Sequence, residues 1–235
     1  MGRRTGGATW IEGVRPVIEA IRAGRRRVHY VELELDGKTP GLRELQNLVR
    51  EQGIPTRSGK GEVVAAADPY PEEPFEALLD GERPRLLVAL DRVTDVGNLG
   101  SIARSAEAAG ASGLVLEHRY APAIGPGALR ASAGALEFLR VGRAPNLRRA
   151  LDLARGEGMQ VLVAEPGGRP LEELGAEIFQ GDLVWVFGSE ERGVRPGIRA
   201  LAREQVAIPQ HGQVASLGVA AAAAYLLLRT ASMRH

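Results

Sequence analysis

From Arg85 onward the apolar positions come in short unbroken runs, at residues 86–90, 113–117, 160–164 and 183–187. Each run has strand length. Between them, at 101–109, 147–155 and 197–203, apolar residues recur at helical spacing, with Asn146 placed to cap one helix and Gly110 to end another. Continuous apolar strands alternating with helices predict a parallel sheet covered on both faces. Upstream the pattern is weaker. Helix is expected over 14–22 (Val17, Ile18 and Ile21 inward), strand over 28–35 and helix over 42–51, with a further strand before Ala66. The densest cluster of prolines lies at 68–74, and 81–84 reads Gly-Glu-Arg-Pro. The expected organisation is therefore an α/β chain with a small domain over 1–75, a linker over 76–84 and a larger parallel-sheet domain over 85–235. Near the end, a β-rich piece at 206–208 stops at Pro209. A polar bend follows, and Ser216 is placed to cap a long Ala-rich helix. The uncharged run over 214–228 is shorter than the roughly 18–20 residues of a membrane span, so it reads as a buried helix.

Composition changes this picture little. The 30 Lys and Arg nearly balance 29 Asp and Glu, so net charge announces no polyanionic partner. Distribution says more. Arg3, Arg4, Arg15, Arg22, Arg25, Arg26 and Arg27 crowd the first segment, which suits phosphate contacts and equally suits a solvated surface. The absence of cysteine excludes disulfides, a thiolate nucleophile and a Cys-based zinc site. A cytoplasmic protein is expected, because the first residues lack the apolar core of a signal peptide.

Candidate chemistry gathers in three Gly-rich polar loops, each following an apolar strand: 91–104, 186–194 and 206–219. Ligands of parallel sheets bind where loops leave the carboxyl ends of strands, so three such loops predict one site. Neither a G-x-G-x-x-G fingerprint nor a P-loop Lys-Ser/Thr is present, which weakens redox and NTPase readings. Taken singly, each loop has a plain explanation. Asn98 could cap a helix, Arg104 could pair with Glu107 on its surface, and Glu190 could sit at a helix N-terminus.

Taken together, Asp95-x-x-Asn98-Leu99-Gly100-x-x-x-Arg104, Phe187-Gly188-Ser189-Glu190-x-x-Gly193 and Ile208-Pro209-x-x-Gly212-x-x-x-Ser216-Leu217 resemble the SpoU (TrmH-like) RNA ribose 2′-O-methyltransferases. The resemblance covers roughly 85–229. It implies a trefoil-knotted α/β domain, S-adenosylmethionine as cofactor, no metal, a homodimer whose site borrows residues from both chains, and RNA as substrate, ribosomal RNA first and transfer RNA second. Arg104, Asn98, Glu190 and Ser216 would be catalytic, while Phe187, Gly188, Ile208, Pro209, Ser216 and Leu217 would hold the cofactor. The same resemblance implies an N-terminal RNA-binding domain, opened by Glu12-Gly13-x-x-Pro16-Val17-x-x-Ala20-Ile21, with Arg15, Arg25, Arg26 and Arg27 as its phosphate ligands. A guanidinium remains charged, so Arg104 suits stabilising a developing 2′-alkoxide and gripping phosphate better than proton abstraction.

The sequence departs from the family pattern at Gly218, where Asn is usual, and milder at Val96, where Pro is usual. Loss of a polar side chain beside the reacting groups leaves a second expectation open, a catalytically weakened member that binds RNA or S-adenosylmethionine. Gln210, His211 or a water are candidates to fill the gap. A generic α/β enzyme acting on small phosphorylated substrates is the third.

Overall fold

The structure is a computed structural model, and it describes residues 9–34, 39–59, 61–213 and 217–234. The chain divides into two compact units. One takes residues up to Pro71 together with Ala123–Phe138, the other Glu72–Pro122 with Leu139–His235.

The first unit contains strand β1 (Thr9–Glu12), helix α1 (Val14–Ala23), strand β2 (Val28–Leu33), helix α2 (Pro40–Glu51), and strands β3 (Thr56–Ser58) and β4 (Val64–Ala67). Their order in the sheet is β1-β4-β2-β3. Thr39 caps α2, its side chain accepting from Leu42 N, and Pro40 opens the helix. Val17, Ile18, Leu45 and Val31 make the core. A later segment joins this unit: α4 (Pro126–Ala131) packs on β1, and a 3-10 turn at Ala135–Glu137 packs on α1. Nothing in the local pattern of the sequence announces that return. Its chemistry is specific, because Arg26 and Glu137, each with a side chain 1% exposed, form a buried ion pair.

The second unit opens at Glu72, within the last residues of the expected small domain, and runs on through the expected linker. Glu72–Pro74 forms β5, and Phe75–Asp80 a 3-10 helix whose Phe75 and Leu78 are buried in the core of the larger sheet. Prolines and acids dominate this stretch, but two apolar side chains at the right spacing bind it to the sheet. The remaining elements are β6 (Leu86–Asp91), α3 (Val96–Ala108), β7 (Gly113–Glu117), β8 (Arg140–Ala144), α5 (Leu147–Gly156), β9 (Gln160–Pro170), β10 (Leu183–Gly188), α6 (Pro196–Arg199), β11 (Glu204–Ala207) and α7 (Val219–Arg234). The sheet runs β11-β9-β10-β6-β7-β8-β5, and every adjacent pair is parallel.

One face buries Leu87, Ala89, Val184 and Val186 beneath α5 and α6. On the other, Trp185 and Phe187 stack at 5.9 Å, and the indole Nε1 donates to Thr230 Oγ1 of α7 at 2.9 Å. The amino ends of β6 and β10 are tied together by Arg85, fully buried, whose Nη2 lies 2.6 Å from Asp182 Oδ2. Burial alone would raise the Asp182 carboxyl, but hydrogen bonds and charge from Arg85 outweigh it and hold the group below its ordinary range.

Candidate functional site

Strand order reverses direction between β6 and β10: successive strands β7 and β8 extend to one side of β6, while β10, β9 and β11 extend to the other. Crevices in parallel sheets form at such a point, beyond the carboxyl ends. Here the loops after β6, β10 and β11 meet.

Two hollows occupy this end of the unit. The first, about 290 Å³, is lined by Ala164, Phe187, Val206, Ile208, Leu217, Val219, Ala222 and Leu226, with the backbone of Gly188 and Gly193 at its rim. A Cβ on Gly188 would collide with the backbone of Gly193, so only glycine lets the two sides of this loop approach so closely. Gly193 N donates to Ser189 O at 2.8 Å, closing the loop. The second hollow, about 480 Å³, is lined by Arg92, Thr94, Asp95, Asn98, Tyr120, Glu191 and neighbouring residues. Ser189, Glu190, Arg192 and Val219 line both.

Glu190 is the joint between the elements. Its Oε1 accepts from Asn98 Nδ2 of α3 at 3.4 Å and from the backbone N–H of Val219, the first residue of α7, at 3.3 Å. One carboxylate therefore faces the starts of two helices, where the helix dipole favours negative charge. Asn98 is not the helix cap: α3 begins at Val96, and Asp95 caps it by accepting from Asn98 N at 2.7 Å. That arrangement frees the Asn98 amide for Glu190.

Of the expected cofactor residues, Phe187, Gly188, Ile208 and Leu217 line the first hollow, whereas Pro209 is exposed and does not. Gln210 lines it and His211 does not. Ser216 lies outside the described residues. Gly218 has φ 76°, a left-handed conformation that Asn also tolerates, and a Cβ there would stand 3.3 Å from Glu190 Oε1. Arg104 is exposed on α3 and lines neither hollow.

The basic cluster is divided. Arg15 is exposed and pairs with Glu19 at 3.2 Å, and Arg27 is exposed. Arg25 donates to the Tyr70 hydroxyl at 3.3 Å. Arg26 is withdrawn from the surface altogether, because the Glu137 carboxylate and the Asp68 carbonyl take its guanidinium. It is a structural residue rather than a surface phosphate ligand.

The sequence reading missed a triad in which half-buried Arg195 joins two buried carboxylates. Arg195 Nε lies 2.7 Å from Asp91 Oδ1 and its Nη2 lies 2.8 Å from Glu117 Oε2, while Glu117 Oε1 also accepts from Leu147 N at the start of α5. Asp91 and Glu117 are the last residues of β6 and β7, and a carboxylate ending an apolar strand was the available signal. Glu165, which lines the first hollow, pairs with Arg199 at 3.1 Å through Oε1, while its Oε2 is buried without a partner among the described residues.

The donor set favours an organic ligand: apolar walls, backbone amides and one unsatisfied carboxylate oxygen suit a group with both a flat apolar part and hydrogen-bond donors. Among the described residues no cluster of three or more His, Cys, Asp or Glu could hold a metal ion. Nor, among them, is any helix long and apolar enough to cross a membrane.

Fold and site together define a parallel-sheet α/β domain with two hollows at its glycine-rich strand-end loops. The chain belongs to the SpoU rRNA Methylase family, whose description matches residues 85–228. A relative from Mycobacterium ulcerans, described as an uncharacterized tRNA/rRNA methyltransferase, is 32% identical over 251 residues, spanning 99% of this chain and 79% of the relative. The SpoU methyltransferase AviRb from Streptomyces viridochromogenes, solved in complex with the cofactor AdoMet, superposes with a TM-score of 0.80 at 26% identity, covering 99% of this chain and 94% of that one. An AdoMet-bound rRNA methyltransferase from Sinorhizobium meliloti gives 0.73 at 25% identity, covering 96% and 87%.

Proposed function

We propose that this protein transfers the methyl group of S-adenosylmethionine to a ribose 2′-hydroxyl in structured RNA, ribosomal RNA first and transfer RNA second, in the cytoplasm. The observation that carries the reading is the shared wall: the apolar hollow and the polar hollow have Ser189, Glu190, Arg192 and Val219 in common. A donor in one and an acceptor in the other would be brought within reach, and proximity is most of what such a displacement requires.

S-adenosylmethionine, when bound, supplies an electrophilic methyl on a sulfonium; transfer leaves S-adenosylhomocysteine, a 2′-O-methyl ether and one proton. Phe187, Ile208 and Leu217 would flank its apolar parts, with backbone amides around Gly188 meeting its polar edges. Glu190 holds Asn98 and the start of α7 in register. Arg104 stabilises the charge that develops on the 2′-oxygen and grips phosphate, and Ser216 keeps the catalytic role that the family motif implies. Because Arg104 is exposed and lines neither hollow, the reading includes a homodimer in which a second copy presents it. The trefoil knot belongs to the same proposal. Membership of the family supports it. The first unit serves RNA binding, through Arg15, Arg25 and Arg27.

Gly218 favours a second reading, a member that binds cofactor and RNA without turnover, since it offers no side chain where the family pattern carries Asn. One experiment separates them. Calorimetry with S-adenosylhomocysteine is expected to give a Kd of about 1 µM, roughly −8 kcal/mol, and tritiated methyl should enter ribosomal or transfer RNA from a strain lacking the protein. Binding without incorporation selects the second reading, and no heat at millimolar ligand removes both.

A further inference from the structure

The polar hollow contains a pair that neither the family motifs nor the reaction uses. Arg92 follows β6 in the left-handed conformation at φ 61°, and its guanidinium lies 4.6 Å from the centre of the Tyr120 ring. Three carboxylates, Asp95, Glu190 and Glu191, line the same hollow, yet no ion pair joins any of them to Arg92 among the described residues. Among the described residues, Arg92 Nε is buried without a hydrogen-bond partner. The cation is thus held by the ring rather than by an acid, and Tyr120 remains 38% exposed. The hollow, about 480 Å³, falls within the roughly 300–1,000 Å³ of small-ligand sites.

An exposed aromatic ring backed by a guanidinium is the surface on which proteins lay a single unstacked base. Chemistry on one nucleotide of a folded RNA often requires taking it out of its stack, which leaves its base needing such a surface. We propose that the Arg92–Tyr120 pair receives the base of the acceptor nucleotide and so positions its ribose against the wall shared with the cofactor hollow. This rests on the methyl-transfer reading, and the test reads the two apart.

Single-turnover methylation of ribosomal RNA from a strain lacking the protein should show half-saturation raised roughly 10- to 100-fold in Tyr120→Ala. Tyr120→Phe should stay within about twofold of wild type, since the face and not the hydroxyl is used. Kd for S-adenosylhomocysteine should be unchanged in both. Independently of turnover, Tyr120→Trp should show indole fluorescence quenched by random-sequence RNA 12-mers in the presence of S-adenosylhomocysteine, beyond any quench in wild type. Unchanged half-saturation in Tyr120→Ala, or no added quench in Tyr120→Trp, overturns the proposal. Quenching in a protein that transfers no methyl retains the base-binding surface and discards the methyl-transfer reading instead.

Discussion

At the residue scale, Glu190 and Arg104 are expected to fail differently. Glu190 accepts from both Asn98 and Val219 through one oxygen, so Glu190→Gln retains an acceptor and should keep the fold and most cofactor affinity. Glu190→Ala leaves the start of α7 without its acceptor, a loss of about 1 kcal/mol by analogy with removed helix caps, measurable as a lower denaturant midpoint. A Gln variant as destabilised as the Ala variant would show that the charge, not the acceptor, holds the helix. Arg104 touches neither hollow within its own chain. Arg104→Ala should therefore abolish single-turnover methylation at saturating RNA while leaving the Kd for S-adenosylhomocysteine within about twofold, because interactions made only in the transition state act on rate. A normal rate in that variant removes Arg104 from the chemistry.

At the scale of elements, legibility followed burial. Strands β6, β7 and β10 were readable because each is buried on both faces, as was β9 over 160–164, whereas its polar continuation over 165–170 was not. Strand β8, Arg-Val-Gly-Arg-Ala, was not, because its arginines are neutralised by partners distant in sequence: Arg140 by Glu73, with Nη2 to Oε2 at 2.7 Å, and Arg143 by Glu72 at 2.6 Å. Those partners form β5, in the proline-dense stretch at the end of the expected small domain. The three loops were legible as motifs, but the Asp91–Arg195–Glu117 triad was not, since pairing across 104 and 78 positions leaves no local period. It supplies a prediction. Arg195→Ala would leave two buried carboxylates facing each other at the ends of β6 and β7, at a cost of roughly 3–5 kcal/mol in chemical denaturation. Arg195→Met with Asp91→Asn and Glu117→Gln should recover much of that loss. Failure of the triple variant to recover would mean that Arg195 acts through packing instead of charge.

The whole molecule has two units, and alkaline titration and salt should address the first of them. Tyr70 is buried, and burial pushes its hydroxyl up to about 12 from 10.0 against the lowering influence of Arg25. A raised folded value means stability fully present below the ordinary pKa and lost as pH climbs through 10 toward 12. That loss amounts to about 2–3 kcal/mol, and Tyr70→Phe should flatten it in melts followed over that range. A Tyr70→Phe protein that loses stability equally over the same range would assign the loss to other groups.

Salt distinguishes the arginines of the same unit. Arg15 and Arg27 are exposed, so if they meet phosphate, Arg15→Gln with Arg27→Gln should weaken RNA binding and flatten the dependence of log K on log salt by about one to two counterions. Arg26 obeys different physics. Its guanidinium is held by Glu137, and Arg26→Gln strands that carboxylate in the interior, a loss on the order of 3–5 kcal/mol. Its melting temperature should fall while RNA binding below the transition keeps the wild-type salt slope. A flattened slope in folded Arg26→Gln would return that residue to the RNA surface, and an unchanged slope in the double variant would leave the first unit's exposed arginines as solvated charge.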